Sequence, residues 1–292
     1  MIDLIIPTLS QGLLWSLLAL GVYITFRVLD FADMTVEGSF PLGAAICVYF
    51  LIRDHHPLLA LLAAGLLGGV AGIVTGLLHT KLRIPSLLAG ILSMIALYSV
   101  NLRIMGKANV SLLGKETAFT YMETLGLDYA QSVFIVGLLA TVVIGTLIYW
   151  FFGTEIGAAI RATGFNPQMI RAQGIDTNVM LLLGLFLSNA LTAMAGAFIG
   201  MNNGFFDVGM GEGTLVIGLA SVIIGEVLFG TRSFKNSLVS VILGSIVYRF
   251  VIAIVLQMGM PPNDLKLFTS VLVVIALALP MMRDKVQRRK VG

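Results

Sequence analysis

The sequence predicts an all-α fold, a polytopic transmembrane helical bundle of about 8–10 spans, on the basis of three observations. Of the 292 residues, 58% are hydrophobic and a further 32 are glycine, whereas a soluble domain is roughly 45–50% apolar with glycine included. Only 11% of the residues are charged, which is too few to give a soluble protein of this size a polar surface. Several apolar runs reach about 18 residues, the length at which a helix can cross the bilayer. The composition therefore excludes soluble and disordered chains.

Nine apolar segments are the predicted spans: 5–26, 34–51, 58–80, 87–104, 131–152, 179–201, 213–230, 236–258 and 267–282. Four of them are short, and each of these can be a broken or re-entrant helix: 34–51, 87–104, 213–230 and 267–282. No Lys or Arg precedes the first segment, so we expect it to be a retained span and not a secretory signal. Residues 1–292 are predicted to form a single transmembrane domain.

The distribution of the cations predicts the orientation of the chain. With the C-terminus inside, nine spans place 12 of the 18 Lys and Arg residues on the inner side and five on the outer side. Cytoplasmic loops are enriched in Lys and Arg, so this orientation is favoured. The basic tail 283–292, with Arg283, Lys285, Arg288, Arg289 and Lys290, is then cytoplasmic. A single re-entrant segment would change the side of the N-terminus.

The inner loop 153–178 contains the signals of two short helices. Asn166 and Pro167 are typical of an N-cap and a first helical position, and Gly174 can supply the left-handed residue that ends a helix. These signals predict a helix of about two turns from Pro167 to Gln173, which exposes Met169, Ile170 and Arg171. Ahead of it, residues 155–163 can form another short helix. The loop is either an ordinary surface segment or a coupling helix that enters a groove on a cytoplasmic partner.

A family resemblance favours the second interpretation. The pattern G-x-A-I-R-A-x-G-x-N-P-x-x-x-R-x-x-G-I, at 157–175, resembles the cytoplasmic coupling segment of bacterial ABC importer permeases of the branched-chain amino acid and ribose type. The stretches 27–40 and 181–200 are also similar to that family. Within 27–40, the sequence F-A-D-x-T-x-E-G-S resembles the subgroup usually associated with tryptophan or tyrosine uptake. The resemblance extends over roughly 12–282.

The resemblance implies a multi-pass permease subunit of the bacterial plasma membrane, which forms the pathway for a small polar solute, an amino acid and in this subgroup an aromatic one. The implied partners are a cytoplasmic ATPase subunit, an extracytoplasmic substrate-binding protein and a second copy of the permease, with no nucleic acid. ATP hydrolysis would belong to the separate ATPase. The residues expected to couple to it are Gly157, Arg161, Gly164, Asn166, Pro167, Met169, Ile170, Arg171 and Gly174. A stand-alone secondary transporter or channel, or an ABC permease for a sugar, remains the alternative.

Polar residues within the predicted spans mark a candidate translocation pathway, because a charge at the bilayer centre costs about 2.5–3.5 kcal/mol and usually faces a cavity. The candidates are Asp33, Thr35, Glu37, Ser39, Asn101, Asn189 and Glu226. In the alternative interpretation, the carboxylates lie at the inner interface, where Arg27 can pair with Asp30 or with a neighbouring group, and the Ser and Asn residues bond to neighbouring helices. Arg249 is expected either to pair with a carboxylate such as Glu226 or to face a wet cavity.

A short motif recurs and suggests an inverted repeat. Asp33-x3-Glu37-Gly38-Ser39-x3-Gly43 matches Asp207-x4-Glu212-Gly213-Thr214-x3-Gly218, and each copy opens a short apolar segment. The predicted topology places the first copy at the inner face and the second at the outer face. Repeats on opposed faces are typical of transporters with an inverted repeat.

The chain contains no pattern that would predict an enzyme. It has no G-x-x-x-x-G-K-[ST] and no H-E-x-x-H, and Cys47 is its single cysteine. We therefore predict no catalytic residue, no metal site and no cofactor.

Overall fold

The computed structural model describes residues 2–123, 126–261, 264–265 and 267–275, with side chains from residue 5 onward. Within these ranges, seven helical segments are long and apolar enough to cross a membrane. Val36–Ile52 is a shorter apolar helix. The prediction of a polytopic helical bundle is therefore confirmed. Of the last predicted span, 267–275 is helical, and the remainder and the basic tail lie outside the described residues.

The elements follow the predicted segments closely. They are α1 Ile2–Tyr23 with a π-helical continuation Ile24–Val28, α2 Val36–Ile52, α3 Pro57–Thr80, α4 Ser86–Met105, β1 Asn109–Ser111, α5 Thr120–Glu123, α6 Tyr129–Phe152, α7 Glu155–Phe165, α8 Pro167–Ala172, α9 Thr177–Asn203, β2 Phe205–Asp207 with a 3-10 turn Val208–Gly211, α10 Thr214–Phe229 and α11 Phe234–Gln257.

Two of the short segments are preceded by irregular chain inside the bundle, and a third is not. Residues 29–35 are non-helical and lead into α2, and residues 204–213 contain β2 and the 3-10 turn and lead into α10. By contrast, α4 is continuous through the predicted segment 87–104. Irregular backbone at membrane depth needs protein partners for its polar groups, so the stretches before α2 and α10 are the places to look for a polar site.

The helices pack in two sets with the same pattern of neighbours. Helix α3 packs along α9, and in the same way α11 packs along α1. Likewise, α2 contacts α9, and α10 contacts α1. The pair α2–α3 corresponds to α10–α11. Helix α4, which packs on α2, corresponds to the helical stretch at 267–275, which packs on a cluster of α10 and α11 residues. Helices α1, α2, α3 and α4 thus correspond, in this order, to α9, α10, α11 and the stretch 267–275. Such a one-to-one correspondence of neighbours is the pattern that an internal repeat requires.

The two sets run in opposite directions. Along α3 and α9, Gly65 faces Met194 and Gly76 faces Leu182, so these two helices are antiparallel. Both α1 and α3 end at the side of the bundle that carries 153–178, which we call the inner side, because Leu29, Thr80 and Gly164 line one cavity there. Helix α9 therefore starts where α1 ends, and the repeat is inverted.

Equivalent glycines support this correspondence. A Cβ atom on Gly43 of α2 would overlap the backbone of Ala193 in α9, and one on Gly218 of α10 would lie 2.6 Å from Val22 in α1. Since α9 and α1 are exchanged by the repeat, the matching glycines of the two motif copies meet matching helices. Close approach of helix backbones in membranes depends on such small residues.

The predicted placement of the two motif copies on opposite faces is wrong. The Oε1 atom of Glu37 accepts a hydrogen bond from the backbone N–H of Gly213 at 3.0 Å, so the copies touch each other. The irregular stretches before α2 and α10 enter the bundle from opposite sides, and this brings the starts of these helices together inside it. A small outer sheet, with Val110 opposite Phe206, joins the chain after α4 to the chain after α9.

Candidate transport site and coupling surface

A buried polar network surrounds the irregular stretch before α2. The carboxyl oxygens of Asp33 accept hydrogen bonds from the N–H of Thr35 at 2.9 Å and from the side-chain amide of Asn189 at 2.8 Å. Ser39 donates to Asn189 Oδ1 at 2.7 Å. Asp33 is 0% exposed, and both of its oxygens have a donor. The network therefore fixes the extended stretch against α9.

The same network reaches α3 and α4. The hydroxyl groups of Thr35 and Thr75 are 2.7 Å apart, and Thr75 donates to Ser93 at 2.7 Å. Asn189 lies 12 residues into α9, about 18 Å from its inner end. Asp33 is consequently near the middle of the bundle. Of the two interpretations, the inner-interface position does not hold for Asp33, because the chain turns back into the bundle after α1.

Beside the network, a cavity of about 330 Å³ lies between α2, α4 and the 3-10 turn. It is lined by Glu37, Gly38, Pro41, Met94, Ile95, Tyr98, Ser99, Asn101, Val208, Gly209 and Glu212. Asn101 donates to the carbonyl of Gly38 at 3.1 Å, and its Oδ1 atom is buried with no hydrogen-bond partner among the described residues. Because Asn101 is 0% exposed, this acceptor lies behind the cavity wall, and the residue holds α4 against the start of α2.

The cavity combines two carboxyl groups with apolar and aromatic surface. Glu37 and Glu212 come from the two motif copies, and Tyr98 and Met94 come from α4. Carboxylates favour a cationic group such as an ammonium, and an aromatic ring or thioether packs well against a second ring. The cavity is therefore suited to a small solute with an ammonium group and an apolar body.

At the inner side, Glu226 of α10 forms an ion pair with Arg27 in the π-helical end of α1. Asp30, the other partner considered for Arg27, is exposed and lines the inner cavity together with His79 and Arg83. Glu226 lies near the inner end of α10, as expected for a snorkelling carboxylate. The pair joins the two halves of the repeat at their inner ends.

Arg249 does not pair with Glu226. Its guanidinium carbon lies 3.8 Å from the ring centre of Trp15, which in turn stacks on Phe40 at 5.5 Å. The Nε and Nη2 atoms of Arg249 are buried and have no hydrogen-bond partner within the described residues. The cation is stabilised by the indole face.

The two predicted short helices of the inner loop are confirmed. The side chain of Asn166 accepts from the N–H of Met169 at 3.0 Å, Pro167 occupies the first turn of α8, and Gly174 has a φ of +82°. Half of the segment packs against the bundle. A Cβ atom on Gly164 would overlap the carbonyl of Val28, and one on Gly157 would overlap the backbone of Phe151. These two glycines hold α7 on the ends of α1 and α6.

The other half of the segment faces away from the bundle. Phe165 is 93% exposed, and Met169 and Arg171 are exposed beside it. The predicted exposure of Ile170 is wrong, because Ile170 is 3% exposed and packs inward, one step around α8 from Met169. Arg161 also faces the bundle, with its guanidinium 5.0 Å from the ring centre of Phe234.

Sequence reasoning missed several residues of these two surfaces. Met94, Tyr98 and Asn101 are spaced by four and three positions along α4, so helical periodicity starting from Asn101 would have found the first two. Phe165 was missed because it lies between the two helix signals. No local pattern indicates that its side chain points into solvent.

Comparisons with known proteins identify the family. Residues 4–278 match the family model described as "Branched-chain amino acid transport system / permease component". The tyrosine transport system permease protein of Clostridioides difficile is 41% identical over 274 residues, which cover 94% of this chain and 90% of that protein. An uncharacterised protein of Rickettsia prowazekii is 32% identical over 287 residues, 97% of this chain and 99% of its own. A fructose import permease of Rhizobium meliloti is 25% identical over 269 residues, 87% and 71% of the two chains.

No solved structure matches the chain. The family match nevertheless extends over nearly the whole sequence and includes both the buried network and the coupling segment. It agrees with the resemblance found in the sequence motifs and with the seven apolar helices of spanning length among the described residues. The chain therefore belongs to the family of ABC transporter permease components of the branched-chain amino acid type, and it is a membrane-spanning transport component.

Proposed function

We propose that the chain forms the translocation pathway of an ABC importer for an amino acid and is driven by a separate cytoplasmic ATPase subunit. The observation that carries this proposal is the exposed apolar patch of Phe165 and Met169 on the coupling segment. A compact apolar patch beside Arg171 suits insertion into a groove of a partner, which a stand-alone transporter or channel does not need. The sequence contains no G-x-x-x-x-G-K-[ST] pattern, which supports the proposal that ATP hydrolysis belongs to that partner.

The proposed assembly contains two copies of this permease, each docked to an ATPase, and an extracytoplasmic binding protein that delivers the solute. The excess of Lys and Arg on the side of the coupling segment supports a cytoplasmic position for that side and for the basic tail 283–292. The protein then lies in the bacterial plasma membrane.

The cavity supports an amino acid with an aromatic side chain as the solute. Glu37 and Glu212 would attract its ammonium group, and Tyr98 would pack against its ring. The tyrosine transport permease, at 41% identity, supports the same class. The fructose import relative, at 25% identity, keeps a sugar as the alternative.

The predicted pathway residues divide into three roles in this proposal. Glu37 faces the solute, and Asn101, which is 0% exposed, holds α2 through the carbonyl of Gly38. The residues that hold the irregular stretch in place without touching the solute are Asp33, Thr35, Ser39 and Asn189. Glu226, paired with Arg27, closes the inner end of the route.

Reconstitution tests the proposal. The chain is placed in proteoliposomes with the ATPase and binding protein encoded beside it, and uptake of labelled tyrosine, leucine and fructose is measured with and without ATP on the ATPase side. We expect tyrosine uptake that requires ATP. Uptake of fructose alone would make the chain a sugar permease, and uptake without ATP or ATPase would overturn the importer.

The docking patch is tested with a matched pair of variants. The double variant Phe165→Ser, Met169→Ser should lose most transport-coupled ATP hydrolysis while the permease remains folded. The control is Leu113→Ser, which replaces a side chain that is 94% exposed on the outer side. Equal coupling in the double variant and the control would contradict the assignment of the patch.

A further inference from the structure

An apolar groove runs along the outside of the bundle between α6 and α11. Its volume is about 420 Å³, and it is bordered by residues such as Leu138 and Val142 of α6 and Ile242 and Ile246 of α11. Both helices pack closely on α1 but touch each other at few places, so the space between them stays open. Gly145 lies in the wall of the groove. A Cβ atom added there would be 3.6 Å from Ile242 Cδ1, which is an ordinary van der Waals distance.

The groove has the length of one lipid leaflet. From Lys235 at its inner end to Ile246, it follows 11 residues of α11, about 16 Å of helix. The hydrocarbon core of a bilayer is about 30 Å thick, so the groove extends from the inner interface to the bilayer centre. This is the reach of one acyl chain.

A cavity of about 600 Å³ with aromatic, hydroxyl and cationic side chains in its lining continues the groove at its inner end, and the two share Tyr149 and Lys235. The cavity is also lined by Arg161, and none of its described lining residues carries a carboxyl group. Arg161 Nε is buried and has no hydrogen-bond partner among the described residues, and neither Arg161 nor Lys235 forms an ion pair with any of them. Two unneutralised cations thus face one cavity.

We propose that the groove and the cavity together bind an anionic glycerophospholipid of the inner leaflet, with an acyl chain in the groove and the phosphate between Arg161 and Lys235. Basic pockets between transmembrane helices at the cytoplasmic side commonly bind anionic head groups. Tyr149 and Trp150 are exposed beside the cavity, at the level where aromatic residues mark the membrane interface.

The position of the site distinguishes this lipid from the partner ATPase. The cavity lies at Thr154, the N-cap of α7, and at Arg161 in the middle of that helix, and it is continuous with a membrane-facing groove. The exposed Phe165 follows at the far end of α7, and an ATPase that binds Phe165 and Met169 docks beyond that end. A lipid therefore fits both the apolar groove and the cationic cavity. A cytoplasmic ATPase cannot fill the groove, because the groove extends into the bilayer.

Native mass spectrometry of the purified full-length chain tests the proposal, with phosphatidylglycerol and phosphatidylcholine of identical acyl chains as probes. In the double variant Arg161→Gln, Lys235→Gln, the affinity for phosphatidylglycerol should fall about 30-fold, about fivefold for each cation. The affinity for phosphatidylcholine should be unchanged. The matched control Lys81→Gln, Arg83→Gln removes two cations from the same side and should leave both affinities as in the wild type.

The variant Gly145→Leu tests the groove while Arg161 and Lys235 are both intact. It also tests the lipid proposal if the double variant does not fold. Its side chain extends into the groove, so the binding of both lipids should fall at least about fivefold. Full phosphatidylglycerol binding by this variant, or by the double variant, would overturn the proposal. Displacement of the lipid by the purified ATPase subunit would also overturn it and assign the cavity to that partner. Neither readout depends on transport.

Discussion

Asp33 and Glu37 are four residues apart in one motif, and their surroundings are opposite. Asp33 is fully buried, and each of its carboxyl oxygens accepts a hydrogen bond from a fixed donor. Glu37 lines a cavity and meets the start of α10 through Gly213. The extended chain before α2 is enclosed by α3, α4 and α9, whereas the first turn of α2 faces α4 and the 3-10 turn. Sequence proximity therefore says little about which carboxyl group meets the solute.

The coupling segment shows the same division between adjacent residues. Gly164 lies against the carbonyl of Val28, and Phe165 is almost entirely exposed. Asp33 and Gly164 are therefore holding residues, which fix an irregular or short element on the bundle. Glu37 and Phe165 are facing residues, which are directed towards a ligand or a partner. Substitutions at the holding positions should reduce stability first, and substitutions at the facing positions should reduce function with little effect on stability.

The largest loss of stability is expected for Asp33→Ala. It leaves the N–H of Thr35 and the amide of Asn189 without their acceptor inside the bundle, at a cost of about 1–3 kcal/mol each. The melting temperature in detergent, followed by gel filtration of heated samples, should fall clearly. A wild-type melting temperature would show that Asp33 does not hold the stretch before α2.

Gly164→Ala should have the next largest effect. The new Cβ would overlap the backbone of residue 28 and lie 2.8 Å from Leu29 Cα, so α7 must shift, at a cost of about 1–3 kcal/mol. The same substitution at Gly145, where the nearest atom is 3.6 Å away, is the control and should leave the melting temperature almost unchanged. Equal melting temperatures for the two variants would contradict this packing.

A smaller loss, about 1 kcal/mol, is expected for Ser39→Ala, which removes the hydroxyl group that donates to Asn189 Oδ1. Ser99→Ala removes a hydroxyl group from the cavity wall and serves as the control, with no measurable change in melting temperature. If Ser99→Ala lowered the melting temperature as much as Ser39→Ala, the result would contradict the assignment of Ser39 to the buried network and of Ser99 to the cavity wall.

Glu37→Gln should change stability least and transport most. The glutamine Oε1 can still accept from the N–H of Gly213, so the melting temperature should stay close to that of the wild type. Loss of the charge should reduce ATP-dependent amino acid uptake about tenfold, as expected when one charged hydrogen bond to the solute is lost. Glu116→Gln, in the exposed outer loop, should retain wild-type uptake. Full uptake by Glu37→Gln would remove Glu37 from the pathway.

Local signals were sufficient to predict much of this molecule. The length of the apolar runs predicts the spanning helices within a few residues, and Asn166, Pro167 and Gly174 predict the start and end of α8. These features depend on composition, on capping and on backbone conformation, all of which involve neighbours in the sequence.

The partners of the polar residues could not be predicted in this way. Arg27 pairs with a carboxylate 199 positions away, and Glu37 reaches Gly213 across the repeat. Ile170 and Met169 are adjacent apolar residues on a two-turn helix, and only the packing of α8 decides which of them is buried. Such contacts depend on how the two halves of the repeat interlock, and a single sequence does not contain this information.

Thiol labelling gives the most direct test of the division between holding and facing residues. Cys47 is the single cysteine and is buried, so Cys47→Ala provides a background without thiols. Two further variants, Ser99→Cys in the cavity and Ser39→Cys in the network, are then exposed in proteoliposomes to a membrane-impermeant methanethiosulfonate reagent. We predict that Ser99→Cys reacts at least about tenfold faster than Ser39→Cys, since thiol reactivity requires access to water. Equal rates, or faster reaction of Ser39→Cys, would contradict the assignment of the cavity as the transport site.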